Sequence, residues 1–175
     1  MKKTTKLVLS AVFIALGLTL PFLTAQMQDI GNAFLPMHIP VLLCGLFCGA
    51  GYGAAVGFIL PLLRSVLFSM PPMYPVAICM AFELCTYGLV IGLLADKKTG
   101  IGWLYTSLIT AMVAGRLVWG LVSAVVWGIG GKAFTLKMFL AGAFLEAVPG
   151  IIIQLVLIPV LVQAIRKVRK NKGNL

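Results

Sequence analysis

The chain has 175 residues, of which 61% are hydrophobic and only 10% are charged, and its formal net charge is +10. A soluble domain carries about a quarter charged residues because water must solvate its surface, so this composition excludes a water-soluble globular protein and predicts a membrane protein. The positive charge does not indicate nucleic-acid binding, because ten of the fourteen basic residues lie in the two tails or in one short polar break rather than among the polar and aromatic residues of a soluble surface.

The first apolar segment follows Lys2, Lys3 and Lys6 and runs without a charge from Leu7 to Gln28. A signal peptide has a shorter apolar core, of about 7–15 residues, followed by a small-residue cleavage site, and no such site follows this segment. Because about 20 apolar residues cross a bilayer, we predict a retained transmembrane helix over residues 7–25.

The next uncharged segment, residues 30–63, is too long for one span. It contains three glycines between residues 49 and 53, and glycine permits a tight turn. We therefore predict a short second helix over residues 36–48 and a third helix over residues 52–69. The prolines within residues 70–75 end the third helix, because proline lacks a backbone donor and clashes with the preceding turn.

Three more helices follow, with predicted bounds 76–95, 101–128 and 137–165, and a basic tail over residues 166–175 ends the chain. If the N-terminal tail is cytoplasmic, each cluster of adjacent basic residues falls on the cytoplasmic side, with only Lys132 and Lys137 outside. An odd number of spans would separate the two basic tails. The chain is therefore predicted to be one all-α domain of six transmembrane helices in the cell membrane, with both termini cytoplasmic.

Small residues four positions apart let membrane helices approach closely. The predicted helices contain several such pairs, among them Ala11 and Ala15, Gly53 and Gly57, Gly88 and Gly92, and Ala111 and Gly115. Each pair either holds the bundle together or faces another subunit, and the sequence leaves both interpretations open.

Ionisable side chains within the predicted helices are the first candidates for function, because each costs about 2.5–3.5 kcal/mol to insert. Four stand out: Arg64, Glu83, Arg116 and Glu146. At about 1.5 Å rise per residue, all four are expected in the outer half of the bundle. They form either a polar binding pocket open to the outside or two structural ion pairs that lock helices together.

Other side chains in the predicted helices are candidates for contacts with a small molecule, since such sites are mostly apolar with a few polar groups. His38, Tyr87 and Trp119 are the main ones, and Gln154 adds a polar group to the sixth helix. His38 has the alternative of bonding a neighbouring carbonyl at a helix start.

The four cysteines all lie in apolar segments, and no histidine or second close pair completes a metal-binding set. We therefore predict no metal site and no cofactor. The chain contains no P-loop, no G-x-S-x-G and no H-E-x-x-H sequence, so it encodes no recognisable ATP hydrolysis or proteolysis. An enzyme built on His38 with Glu83 or Glu146 is disfavoured, because no nucleophile, base and orienting group form a set.

Several short motifs occur at characteristic places along the chain. They are the sequence AVFIA at residues 11–15, LPMHIPVLL at 35–43, Tyr52-Gly53, Met70-Pro71-Pro72, and Phe82-Glu83-Leu84 with Tyr87-Gly88. Together with the size and the six helices, they resemble the substrate-binding S components of energy-coupling factor (ECF) vitamin transporters. The resemblance implies that Ala11 and Ala15 contact a transmembrane coupling subunit, which joins two ATPase subunits. It also implies that the substrate binds near the outer face, under the loop at residues 26–34.

The resemblance implies a subunit that captures a vitamin from outside and takes its energy from the ATPases, so that it is not itself an enzyme. Arg64 and Arg116 favour a substrate with a carboxylate, because a guanidinium group can hold a carboxylate by two parallel hydrogen bonds. Pantothenate is the first candidate, and a pyridoxine-type or other vitamin is the second. The alternative function is a stand-alone secondary transporter or channel for a small organic solute, which would move its substrate without partner subunits.

Overall fold

A computed structural model of the protein describes residues 1–24, 35–95, 100–131, 133–145 and 147–172. Every regular element within these residues is helical, which confirms the prediction of an all-α membrane protein. The α-helices are α1 (Lys3–Thr19), α2 (His38–Cys48), α3 (Ala50–Phe68), α4 (Ile78–Ala95), α5 (Ile101–Ile129), α6 (Leu136–Leu140) and α7 (Val148–Lys172). Three short helical turns complete the set: Leu20–Thr24 extends α1, Met73–Ala77 precedes α4, and Ala141–Leu145 follows α6.

Within the described part of the chain, five helical segments are long and apolar enough to cross a membrane: Lys3–Phe22, Ala50–Phe68, Met73–Ala95, Ile101–Ile129 and Leu136–Lys167. The remaining apolar helix, α2, has 11 residues and is therefore about 16 Å long. A hydrocarbon core is about 30 Å thick, so α2 reaches only about halfway across. The loop predicted at residues 26–34 lies outside the described residues.

The turn between α2 and α3 is tighter than the sequence predicted. Helix α3 begins at Ala50 rather than near residue 52, and Gly49 alone, with φ +96° and ψ 172°, separates it from α2. A positive φ of this kind is accessible to glycine because it has no Cβ. The Nζ atom of Lys6 lies 6.0 Å from the centre of the Tyr52 ring, which places the basic start of α1 beside this turn. We call this the inner end of the bundle and the opposite end the outer end.

Contacts at both ends show that α4 and α5 run antiparallel. At the inner end, the indole N–H of Trp103 donates a 2.7 Å hydrogen bond to the carbonyl of Leu94. At the outer end, the hydroxyl of Tyr74 donates to the carbonyl of Val126. Tyr74 itself is extended, with φ −116° and ψ 132°, so the proline-rich segment before α4 interrupts the helices as predicted from its prolines.

Helices α2, α3 and α4 meet along five glycines that we call the glycine seam: Gly45, Gly53, Gly57, Gly88 and Gly92. A Cβ atom added at Gly57 would overlap the backbone of Leu84, and one added at Gly88 would overlap the backbone of Gly53. Backbone contacts this close are possible only without side chains. The predicted pairs on the third and fourth helices therefore face each other inside the bundle.

The apolar core lies between α2, α3, α4 and α5, and α7 contributes Ile158 and Val162 to it. Helix α1 packs on α2 and α3 through its buried residues Ser10, Phe13 and Gly17. Large apolar side chains on the outward surfaces of the helices are exposed, including Leu121 and Val125 on α5. A surface of this kind is compatible with lipid as the surrounding solvent.

The glycine seam yields a first prediction. We expect Gly57→Ala to lower the free energy of unfolding by about 1–3 kcal/mol, because the added methyl group must push α3 away from the α4 backbone. Thermal unfolding of the detergent-solubilised protein measures the effect. Gly51→Ala is the matched control, since Gly51 lies on the same helix and a Cβ there would meet nothing within 4 Å. Equal stability of the two variants would contradict this role of the seam.

Candidate functional site

Side chains from three helices meet at one carboxylate in the interior. Glu83 on α4 forms an ion pair with Arg116 on α5, whose Nη1 atom lies 3.0 Å from Oε1 of the carboxylate. The Nε2 atom of His38, the first residue of α2, lies 3.4 Å from the same oxygen. His38 and Glu83 are each 1% exposed, and Arg116 is 5% exposed. The ion pair is therefore enclosed by the bundle.

Tyr87 completes the group that we call the polar cluster: His38, Glu83, Tyr87 and Arg116. It lies one turn after Glu83 on α4 and is fully buried. Its ring meets the ring of His38 edge to face, with centroids 5.1 Å apart and an interplanar angle of 82°. A Cβ atom at Gly115 would overlap the Tyr87 ring. Gly115, one of the predicted small residues on the fifth helix, therefore makes room for Tyr87 directly beside Arg116.

The polar cluster contains more hydrogen-bonding capacity than its own members use. Among the described residues, no partner is found for His38 Nδ1, for the Tyr87 hydroxyl, or for Nε and Nη2 of Arg116. The Tyr87 hydroxyl and Arg116 are close enough to interact electrostatically, but they do not reach hydrogen-bond geometry. Buried polar atoms are almost always paired in proteins, so spare capacity of this kind is typical of a site that receives a polar ligand.

The free atoms of Arg116 lie on one edge of the guanidinium group. Glu83 takes only Nη1, while Nε and Nη2 are unpaired among the described residues. The N–H groups of Nε and Nη2 are parallel, and this arrangement matches the two oxygens of a carboxylate. Arg116 can therefore keep its partner on α4 and still bind an anionic group.

Arg64 lies in a different environment from Arg116. Its Nη1 atom donates to the carbonyl of Leu18 on α1, and its guanidinium group stands 5.1 Å and 5.3 Å from the ring centres of Phe22 and Phe68. Cation–π contacts and one carbonyl, rather than a carboxylate, stabilise its charge. Although 2% exposed, it forms no ion pair with any residue that the structure describes. Arg64 thus joins the outer ends of α1 and α3 and is not part of the polar cluster.

Trp119 follows Arg116 by three residues, so the two side chains project from the same side of α5. Its half-buried ring packs on the segment around α6, with centroids 5.8 Å from Phe134 and 6.3 Å from Phe139. This contact covers α5 on the outer side of Arg116. Glu146, the fourth intramembrane charge predicted from the sequence, lies outside the described residues.

Gln154 on α7 is a buried polar residue, and the sequence alone predicted no specific role for it. It is fully buried, and neither its Oε1 nor its Nε2 atom has a partner among the described residues. The one signal in the sequence is an amide within an otherwise apolar stretch from residue 147 to 162. Hydropathy gives such a residue little weight, because it carries no charge.

Ala11 and Ala15 are both exposed on α1. The buried residues of that helix, Ser10, Phe13 and Gly17, face α2 and α3. The small pair therefore lies on the outward surface of the bundle, where its side chains are accessible to another membrane helix. This placement leaves the pair out of the packing within the chain, unlike Gly53 and Gly57.

In a comparison with known protein families, the family model described as ECF transporter, substrate-specific component, matches residues 5–162. No curated protein and no solved structure shows significant similarity to the chain.

The ion pair of the polar cluster yields a second prediction. We expect Glu83→Ala to lower the free energy of unfolding by about 3–5 kcal/mol, because Arg116 would remain buried without its carboxylate. The double variant Glu83→Met with Arg116→Met removes both charges and should recover most of the loss. Thermal unfolding in detergent compares the three proteins. A Glu83→Ala variant as stable as the original protein would mean that Arg116 does not depend on Glu83.

Proposed function

Because the chain belongs to the family of ECF transporter substrate-specific components, we propose that it captures a small carboxylate-bearing solute at the polar cluster. The observation that carries this proposal is the free edge of Arg116, whose Nε and Nη2 atoms are buried and unpaired among the described residues. A buried cation with two parallel free donors favours an anionic, planar group. The carboxylate of the solute would complete the coordination of Arg116, with Glu83 on its other side.

The cluster also limits what else the solute carries. The Tyr87 hydroxyl and His38 Nδ1 each donate or accept a hydrogen bond, so they suit further polar groups of the same solute. Pantothenate combines one carboxylate with two hydroxyl groups and an amide, and it is our candidate substrate. A pyridoxine-type vitamin offers hydroxyl groups but no carboxylate, and it would leave the Arg116 edge without a partner.

Transport requires partners, since the chain has no sequence motif for nucleotide binding. Membership of the family implies a transmembrane coupling subunit and two ATPase subunits. We propose that Ala11 and Ala15 form the contact with the coupling subunit. Their exposure on α1 supports this, because small residues on a membrane helix let a second helix pack against its backbone.

Pantothenate binding to the purified protein tests the proposed site. We expect isothermal titration calorimetry to show binding by the original protein and a loss of affinity of about tenfold or more for Arg116→Lys, because an ammonium group cannot form the two-bond contact. Arg64→Lys is the matched control and should bind pantothenate with nearly unchanged affinity. A larger loss for Arg64→Lys would move the site to the outer ends of α1 and α3.

Co-purification with the partner subunits tests the proposed contact on α1. We expect Ala11→Trp and Ala15→Trp to abolish recovery of the coupling subunit and the ATPases while pantothenate binding persists, because the indole ring prevents close helix approach. Ala124→Trp is the matched control, since Ala124 is an exposed alanine on α5. Normal recovery of partners by both α1 variants would contradict the assignment, as would solute uptake by the protein reconstituted without partners.

A further inference from the structure

Among the described side chains, Gln154 is the one polar residue on the face of α7 that is turned towards the core. The other residues of that face are apolar: Ile151 and Leu155 pack against the buried cluster, and Ile158 and Val162 belong to it. Gln154 itself is fully buried, and its Oε1 and Nε2 atoms have no partner among the described residues. A leucine would fill this position without leaving an amide unpaired. The polar group therefore needs an explanation other than packing.

The position of Gln154 connects it to the polar cluster. Helix α7 packs against α2 and α5, the two helices that carry His38 and Arg116. Gln154 is fully buried on the side of α7 that packs against the core cluster, and this cluster also contains Tyr87. Gln154 thus faces the interior from a fourth side, against the helices that carry His38 and Arg116.

The unpaired atoms of these side chains form a complementary set. Arg116 presents two donors on one edge, whereas Gln154 presents one acceptor and one donor group. A carboxylate satisfies the two Arg116 donors, and the N–H of a secondary amide satisfies the Gln154 acceptor. A solute that carries both groups would use three of these four atoms.

We propose that Gln154 is a specificity-determining residue that binds an amide group of the solute. This inference rests on the proposed function, because it takes the polar cluster as the binding site for the carboxylate. Gln154 accepts a hydrogen bond from the amide N–H through its Oε1 atom. A solute that lacks this N–H leaves the acceptor unpaired in a buried environment and is rejected.

The experiment compares pantothenate with its ester analogue, in which oxygen replaces the amide N–H. Calorimetry on the purified full-length protein is expected to show at least about tenfold tighter binding of pantothenate, since the ester leaves the Gln154 acceptor unpaired. The Gln154→Leu variant should bind the two compounds with equal affinity. Its affinity for pantothenate should be lower than that of the original protein by at most about tenfold. Gln163→Leu, an exposed glutamine on the same helix, should retain the original discrimination.

Two further measurements separate this inference from its premises. The unfolding temperature of ligand-free Gln154→Leu should equal or exceed that of the original protein, because an unpaired amide has been removed. A fall of several degrees would show a structural amide and overturn the inference, as would an original protein that binds both compounds equally. If the original protein binds nicotinate and not pantothenate, the carboxylate site stands and only the role of Gln154 is overturned, because nicotinate has no amide. If it binds biotin instead, whose ureido group carries N–H and C=O groups, Gln154→Leu should lower the affinity for biotin, and an unchanged affinity would overturn only the role of Gln154. If the original protein binds none of the three carboxylates, the proposed substrate class fails, and the inference fails with it.

Discussion

The close approach of α3 and α4 along the glycine seam is the contact on which the interior of the bundle depends. In lipid, burial of apolar surface does not drive helices together, so association relies on tight packing and on interhelical hydrogen bonds. Gly57 lies against the Leu84 backbone, and Gly53 lies between Gly45 and Gly88. These contacts hold α2 against α4 closely enough for His38 to reach Glu83. Gly115 does the same between α4 and α5, because it admits the Tyr87 ring beside Arg116.

The bundle accommodates its two described intramembrane arginines in different ways. Arg116 has a carboxylate partner, 3.0 Å away, and retains a free edge that suits an anion. Arg64 relies on a carbonyl and two aromatic rings at the outer ends of α1 and α3. A charge within the membrane is expensive unless the protein compensates it. The first arrangement leaves capacity for a ligand, whereas the second contributes to packing between helices.

The proposed binding site and the proposed partner surface lie on different sides of α1 and α2. Ala11 and Ala15 are on the outward surface of α1, whereas His38 on α2 faces Glu83 in the interior. The contact between α1 and α2 lies between the two proposed sites, and in it Ser10 Oγ is 3.6 Å from Cys44 Sγ. A partner on α1 therefore does not cover the polar cluster, and capture of the solute is compatible with assembly.

The sequence alone determined the solvent of this protein, its helical class, the interruptions at Gly49 and residues 70–75, and its family. These properties follow from composition, from charge placement and from residues with special backbone requirements, all of which act locally. Only the tertiary structure decided that Glu83 pairs with Arg116, that Arg64 contacts α1 and that Gln154 faces inward. In a soluble helix the spacing of apolar residues reveals the buried face. In this protein the lipid-facing and core-facing sides are both apolar, so the depth of a polar residue could be estimated from the chain, but its direction could not.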